Sequence, residues 1–204
     1  SLFAFSIPSR EVAFFDGYAW TRWTSHHWEI PWTAVVLYVL LLVVGQWYMR
    51  KRDEIKTPHS LLCWNFFLSA FSFAGVYHTF PKALWHPEFG ILTAGYEASV
   101  CSRPILWGAG YSGLFIALFI YSKLFELFDT VFLVLRKRPV ILLHWYHHIT
   151  VLLYCWHSYA VRNGTGHWFA CMNYGVHSVM YLYYALTQCG PTARAMVKPI
   201  APLL

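Results

Sequence analysis

Three histidines, His144, His147 and His148, sit inside an apolar stretch that runs from Val140 to about Ala160. At positions i, i+3 and i+4 their imidazoles share one helix face, within roughly one third of the circumference. Imidazole can serve as nucleophile, general base or acid, or metal ligand near neutral pH. A lone histidine in such a segment ordinarily bonds a neighbouring helix. Polar side chains in hydrocarbon are costly, so three on one face mark a buried functional centre.

A second set precedes it. Lys123, Glu126, Asp129 and Thr130 fall within about 120° of one another when each residue turns the helix by about 100°. A central Lys or Asp carries an insertion penalty of ~2.5–3.5 kcal/mol, so these groups should pair with one another or face a polar cavity. Two readings stay open. They form a charge network that locks helices together, or a carboxylate such as Asp129 bonds a box imidazole and sets its tautomer, leaving the other nitrogen free as nucleophile or base. A third stripe combines Asn173, His177, Met180, Tyr181 and Tyr184. Asn173 and His177 are i, i+4 neighbours; Tyr181 and Tyr184 fit core or pocket lining, and His177 is expected to meet the triplet.

The elements that must position these faces are long apolar runs at 32–49, 61–80, 111–135, 140–160 and 168–186. Each can cross a hydrocarbon core of ~30 Å as a helix of about 20 residues. Backbone groups in lipid must be satisfied within the segment, and no run alternates as a barrel strand would. With 58% hydrophobic, 20% aromatic and 12% charged residues, the composition excludes an ordinary soluble domain. The expectation is an all-α polytopic membrane helix bundle in three parts: residues 1–31 as a lumenal or interfacial lead-in, 32–190 as the catalytic bundle with five spans, and 191–204 as a cytosolic segment.

Basic residues orient the spans. Arg50, Lys51, Arg52 and Lys56 follow the first, Arg136, Lys137 and Arg138 the third, Arg194 and Lys198 the fifth. All three clusters lie on one side, cytosolic by the positive-inside rule. The formal charge of +6 therefore needs no nucleic-acid partner. Topogenic charge accounts for Arg136 to Arg138, and an anionic substrate arriving from the cytosol would meet the same residues, Arg136, Lys137 and Arg138. Cys63, Cys101, Cys155, Cys171 and Cys189 form no CxxC pair, which speaks against a metal or redox cluster.

At the polar faces the chain resembles the very-long-chain fatty acid elongase family, the membrane 3-ketoacyl-CoA synthases. Residues 123–130 (KLFELFDT) are similar to its KxxExxDT segment, 144–148 (HWYHH) to its HxxHH box, and 173–184 (NYGVHSVMYLYY) to its NxxxHxxMYxYY segment, in family order and on successive predicted helices. The string HWYHHITVLLY resembles the branch typified by the palmitoyl-CoA elongase, which acts on saturated and monounsaturated chains. The resemblance implies a seven-helix bundle with a later TxxQ-type motif. Five spans are present here, so a C-terminally truncated chain is expected.

The implied reaction condenses a long-chain acyl-CoA with malonyl-CoA to a 3-oxoacyl-CoA, CO2 and CoA, the first step of fatty acid elongation. In the family the second histidine of the box is thought to carry the acyl group, which here is His147. His144, His148, His177 and Asn173 are candidates to stabilise the enolate. Asp129, Lys123, Glu126, Thr130, Tyr181, Tyr184, Lys137 and Arg138 are then supporting or substrate-binding residues. The single histidine box leads to the expectation of no bound metal, and no cofactor is expected beyond the two CoA substrates; the resemblance further implies residence as a multi-pass protein of the endoplasmic reticulum membrane, and work alongside the reductase and dehydratase of the elongation cycle. A homo-oligomeric state stays open. Two other classes remain in view at this point: a membrane di-iron desaturase or hydroxylase, which would need several histidine clusters where this chain of 11 histidines has one box, and a non-enzymatic transporter or scaffold using the charged face as an ion path.

Overall fold

The computed structural model describes residues 14–101, 106 and 108–203. The first 13 residues of the expected lead-in lie outside them. Among the described residues the regular structure is helical, with one isolated bridge between Asp16 and Ala109, so the all-α expectation holds.

Helix α1 (Gly17–His26) starts where the Asp16 carboxylate accepts from the amides of Tyr18 at 2.9 Å and Ala19 at 3.2 Å, which satisfies two otherwise unpaired donors. Helix α2 (Glu29–Met49) has a mean hydropathy of 1.8 over its most apolar window and contains a π-helical stretch at Leu41–Gly45. Val36, Leu37, Val43 and Trp47 are exposed along it, a surface suited to hydrocarbon rather than water. Helix α3 (Pro58–Trp85) opens on a proline, whose missing N–H costs nothing at a first helical position. Helices α2 and α3 are both long and apolar enough to cross a membrane.

After the short α4 (Gly95–Val100), the expected continuous span at 111–135 proves divided. Helix α5 (Gly110–Glu126) and α6 (Phe128–Leu135) are separated by a turn at Leu127. Helices α7 (Leu142–Ala160) and α8 (Gly166–Gln188) have 19 and 23 residues, enough for ~1.5 Å of rise each across the hydrocarbon. Their histidines, tyrosines and amides make them less hydropathic than α2 and α3. The last α-helix among the described residues, α9 (Pro191–Val197), begins after Gly190, whose φ of 117° only glycine adopts readily, and runs into a 3-10 turn at Lys198–Leu203.

Helices α6 and α7 end alike. Arg138 N donates to Leu133 O and Lys137 N to Val134 O; Asn163 N donates to Ser158 O and Arg162 N to Tyr159 O. These paired bonds are the Schellman arrangement, with Lys137 (φ 52°) and Arg162 (φ 57°) in the left-handed position where glycine is usual.

The chain forms two compact units. One takes the described residues of Ser1–His27, Ala74–Tyr121 and Trp156–Tyr174. Its interior is held by the Thr24–Tyr121 hydroxyl pair at 2.7 Å, by Trp156 Nε1 donating to Thr24 O at 3.0 Å, and by Tyr174 OH donating to Phe115 O at 2.8 Å. Gly75 lets the Tyr174 ring approach, since a Cβ there would lie 2.5 Å from it. The other unit takes the described residues of Trp28–Phe73, Ser122–Cys155 and Gly175–Leu204. Buried Leu68, Val134, Leu152 and Cys155 form part of its apolar core, and Ser69 Oγ donates to Ser178 O at 2.9 Å. All three box histidines lie in this second unit.

Candidate active site

Helical periodicity on α5 and α6 sorts the four polar groups into two arrangements. Lys123 Nζ donates to both oxygens of Glu126, at 2.8 and 3.0 Å, and Ser122 Oγ donates to Oε1 at 3.1 Å. Lys123 and Glu126 are 2% and 5% exposed, so neither charge could sit there alone: isolated, each would lose several kcal/mol of hydration, about what the pair recovers. The pair is i, i+3 on one helix. It neutralises the two charges of α5 within one helix.

Asp129 does join helices, but through donors other than imidazole. Trp64 Nε1 of α3 donates to Oδ1 at 2.6 Å, and Tyr181 OH of α8 donates to Oδ2 at 2.7 Å. Both oxygens are therefore occupied by protein, and the expected bond from Asp129 to a box histidine is not made. The imidazole bond comes from the next residue. Thr130 Oγ1 lies 2.8 Å from His144 Nε2 and 2.8 Å from Tyr38 OH. The replacement follows from helix geometry: adjacent residues diverge by about 100°, so Thr130 meets α7 while Asp129 meets α3 and α8.

The triplet is one cluster with unequal exposure. The His144 and His148 rings are 4.4 Å apart between centroids, and those of His147 and His148 are 6.0 Å apart. His148 is buried, His144 half-buried and His147 exposed. His177 of α8 stands edge-on to Tyr181, with Nδ1 3.8 Å from Glu126 Oε1, beyond hydrogen-bond reach.

A cavity of about 450 Å³ gathers these groups. His144, His147, His148 and His177 line it together with Glu126, Asp129, Tyr181 and Tyr184, so the triplet and His177 do meet as expected. Leu61, Phe132, Leu133 and Met180 supply its apolar wall, and Asn65, Arg136 and Gln188 further polar groups. Lys123 and Thr130 stand behind the wall, each reaching it through a lining partner. Asn173 belongs to the first unit and does not line this cavity.

Lys137 and Arg138 do not line this cavity. They line a separate cavity of about 480 Å³ with Gln46, Met49 and Arg50, and Lys137 Nζ donates to Arg52 O at 3.0 Å. The chain reverses at the left-handed Lys137, so of the three consecutive cations only Arg136 reaches the histidine cavity.

Tyr38, Trp64 and Asn65 are functional neighbours that the sequence motifs do not include. Asn65 carried a signal, an amide inside an apolar run. Tyr38 and Trp64 carried none, because aromatic residues are common in such runs and only their partners distinguish them.

Chemically the cavity offers an exposed imidazole, His147, with no hydrogen-bond partner among the described residues. Neighbouring imidazoles can donate to a developing anion. An apolar wall beside this polar cluster suits an amphipathic acyl substrate.

A profile of the GNS1/SUR4 family (ELO) matches residues 23–204. Fatty acid elongase 3 of Trypanosoma cruzi (strain CL Brener) is 41% identical over 217 residues, covering 96% of this chain and 71% of that protein. Fatty acid elongase 3 of Trypanosoma brucei brucei (strain 927/4 GUTat10.1) is 38% identical, covering 93% and 69%. Very long chain fatty acid elongase 6 of Gallus gallus is 40% identical over 169 residues, covering 83% and 62%.

Proposed function

We propose, from the premise that this chain belongs to the GNS1/SUR4 family of membrane-embedded fatty acid elongases, that His147 carries the acyl group during condensation of a long-chain acyl-CoA with malonyl-CoA. The observation that carries the reading is the position of His147, exposed on a cavity shared with three other histidines, its imidazole hydrogen-bonded to none of the described residues.

A ring nitrogen of His147 attacks the acyl thioester carbon, the C–S bond breaks and CoA leaves as the thiolate. Malonyl-CoA then loses CO2, and the electron pair of the broken C–C bond forms the enolate. That carbon attacks the acyl-imidazole, the C–N bond breaks, and the 3-oxoacyl-CoA departs two carbons longer. One proton is consumed overall and appears on CoA. The oxyanions of both steps need donors, for which His144, His148 and His177 are placed on the same cavity. Arg136 can hold an anionic part of the substrate.

Each step uses imidazole and thioester chemistry alone, so the reaction calls for no metal or cofactor, and chelation should leave the rate unchanged. The string HWYHHITVLLY, by its resemblance to the branch typified by the palmitoyl-CoA elongase, supports saturated and monounsaturated long chains as substrates. We place the protein in the endoplasmic reticulum membrane with five crossing segments, its basic clusters cytosolic and the elongation-cycle reductase and dehydratase as partners. The basic clusters Arg50–Arg52, Arg136–Arg138 and Arg194 with Lys198 support the orientation, and the membrane and the partners follow from the family resemblance.

The experiment supplies purified enzyme with acyl-CoA and no malonyl-CoA, then measures intact mass. An acyl adduct mapped to His147 and absent in H147A, together with loss of labelled malonyl-CoA incorporation in H147A, is the expected result. Near-normal turnover by H147A, or an adduct on Cys155 or Cys171, overturns it.

A further inference from the structure

Tyr38 lies in the middle of α2, in an otherwise apolar run, and is 2% exposed. Its hydroxyl is 2.8 Å from Thr130 Oγ1, and Thr130 Oγ1 is 2.8 Å from His144 Nε2. All three residues belong to one unit. A threonine hydroxyl has one proton and two acceptor lone pairs, so it donates to one of these partners and accepts from the other, or accepts from both. Three proton orders are therefore available.

In the first, Tyr38 donates to Thr130 and Thr130 donates to His144 Nε2, which must then be the unprotonated nitrogen of a neutral ring. In the second, His144 Nε2–H donates to Thr130 and Thr130 donates to Tyr38. The second order leaves the phenolic proton of Tyr38 without an acceptor among the described residues, inside the protein, where a donor without a partner is disfavoured. In the third, both Tyr38 and His144 donate to Thr130, and the Thr130 proton, on a residue that is 0% exposed, has no acceptor among the described residues. The first order leaves no such orphan. The ring proton of His144 then sits on Nδ1, which has no hydrogen-bond partner among the described residues on a half-buried ring lining the histidine cavity, where it can meet water or substrate.

We propose that Tyr38, acting through Thr130, holds His144 as the neutral Nδ1–H tautomer, so that His144 works as a hydrogen-bond donor to a substrate oxyanion and not as a base. This rests on the condensation reading for its chemistry, although the tautomer itself does not. His144 is the catalytic residue in this arrangement and Tyr38 a positioning residue two hydrogen bonds away. Preorganised donors of this kind lower the barrier because they need no reorientation when charge develops. A His144 whose Nε2 already accepts a hydrogen bond cannot also take a proton there from substrate.

The test uses purified protein in lipid nanodiscs, with histidine rings labelled with nitrogen-15, and long-range proton–nitrogen correlation spectra. The His144 signals are assigned by their loss in H144Q. The expected result is a proton on Nδ1 and a hydrogen-bonded, unprotonated Nε2. Y38F keeps the ring and removes the hydroxyl, so it should give mixed tautomers and lower kcat about tenfold with KM unchanged, a fraction of the ~10²–10³-fold that loss of a whole oxyanion donor brings. T130V should behave like Y38F, and T130S should retain the native tautomer and rate. A proton on Nε2 in the native protein overturns the proposal, as does an unchanged Nδ1 tautomer in both Y38F and T130V. The spectra need no substrate. Absence of condensation with the Nδ1 tautomer present would remove the functional reading alone, whereas condensation with the opposite tautomer would remove this inference alone.

Discussion

The indole of Trp64 and the carboxylate of Asp129, 65 positions apart in the chain, are joined by a 2.6 Å hydrogen bond from Nε1 to Oδ1. With Tyr181 on the other oxygen at 2.7 Å, this one carboxylate links α3, α6 and α8 at the wall of the histidine cavity. The two donors explain how an acidic side chain is tolerated in an apolar setting: a hydrogen bond to a charged group contributes about 1.5–3 kcal/mol, and an unsatisfied one forfeits more.

Replacing Trp64 by Phe should therefore destabilise the protein by about 1.5–3 kcal/mol, the loss of one charge-assisted bond. D129N should be worse than W64F, because it removes the charge from both bonds and, when its NH2 donates to the Tyr181 hydroxyl, leaves the phenolic proton without its acceptor. Thermal unfolding in detergent, followed by intrinsic fluorescence, gives the ranking. A D129N variant as stable as the native protein would show that the clamp does not hold these helices.

Breaking the buried Lys123–Glu126 pair from either side should be severe. K123M and E126Q each leave one uncompensated buried group, a change that typically costs about 3–5 kcal/mol. The double variant K123M/E126L removes both charges and should recover most of that loss, since a buried pair is worth little against well-packed apolar side chains. Comparing retained monodisperse protein after heating for the two single variants and the double one measures the coupling. Additive losses in the double variant would contradict it.

At Gly75 the expectation concerns packing alone. A methyl group placed 2.5 Å from the Tyr174 ring forces the ring away and strains its 2.8 Å bond to Phe115 O. G75A should be destabilised by about 1–3 kcal/mol through overpacking, and G75A/Y174L should be less sensitive to the added methyl. Equal melting temperatures for G75A and the native protein would show that the ring has room to yield.

Among the consecutive cations, Arg136 should matter most for substrate affinity. It alone of the three lines the histidine cavity, so R136A should raise the KM for a CoA substrate about tenfold, equivalent to ~1.4 kcal/mol for one charge-assisted contact. R138A should change it less. Steady-state kinetics of the two variants decides, and a larger effect for R138A would place the anionic part of the substrate at the second cavity instead.

What the sequence determined by itself was local. Helical periodicity alone put His144, His147 and His148 on one face. It also put Lys123 within reach of Glu126 at i, i+3, because those relationships depend only on the rotation per residue. Apolar runs located the helices, although Leu127 divides the third where composition gave no sign of a break. Tertiary structure decided the partners across helices: Trp64 rather than an imidazole for Asp129, Tyr38 behind Thr130, and Arg136 rather than Lys137 or Arg138 at the cavity. Tyr38 and Thr130 are 92 positions apart, and no periodicity relates residues on different helices. Their meeting is set by how the helices pack and rotate about their axes, and a rotation of one residue, about 100°, is enough to exchange one polar partner for its neighbour.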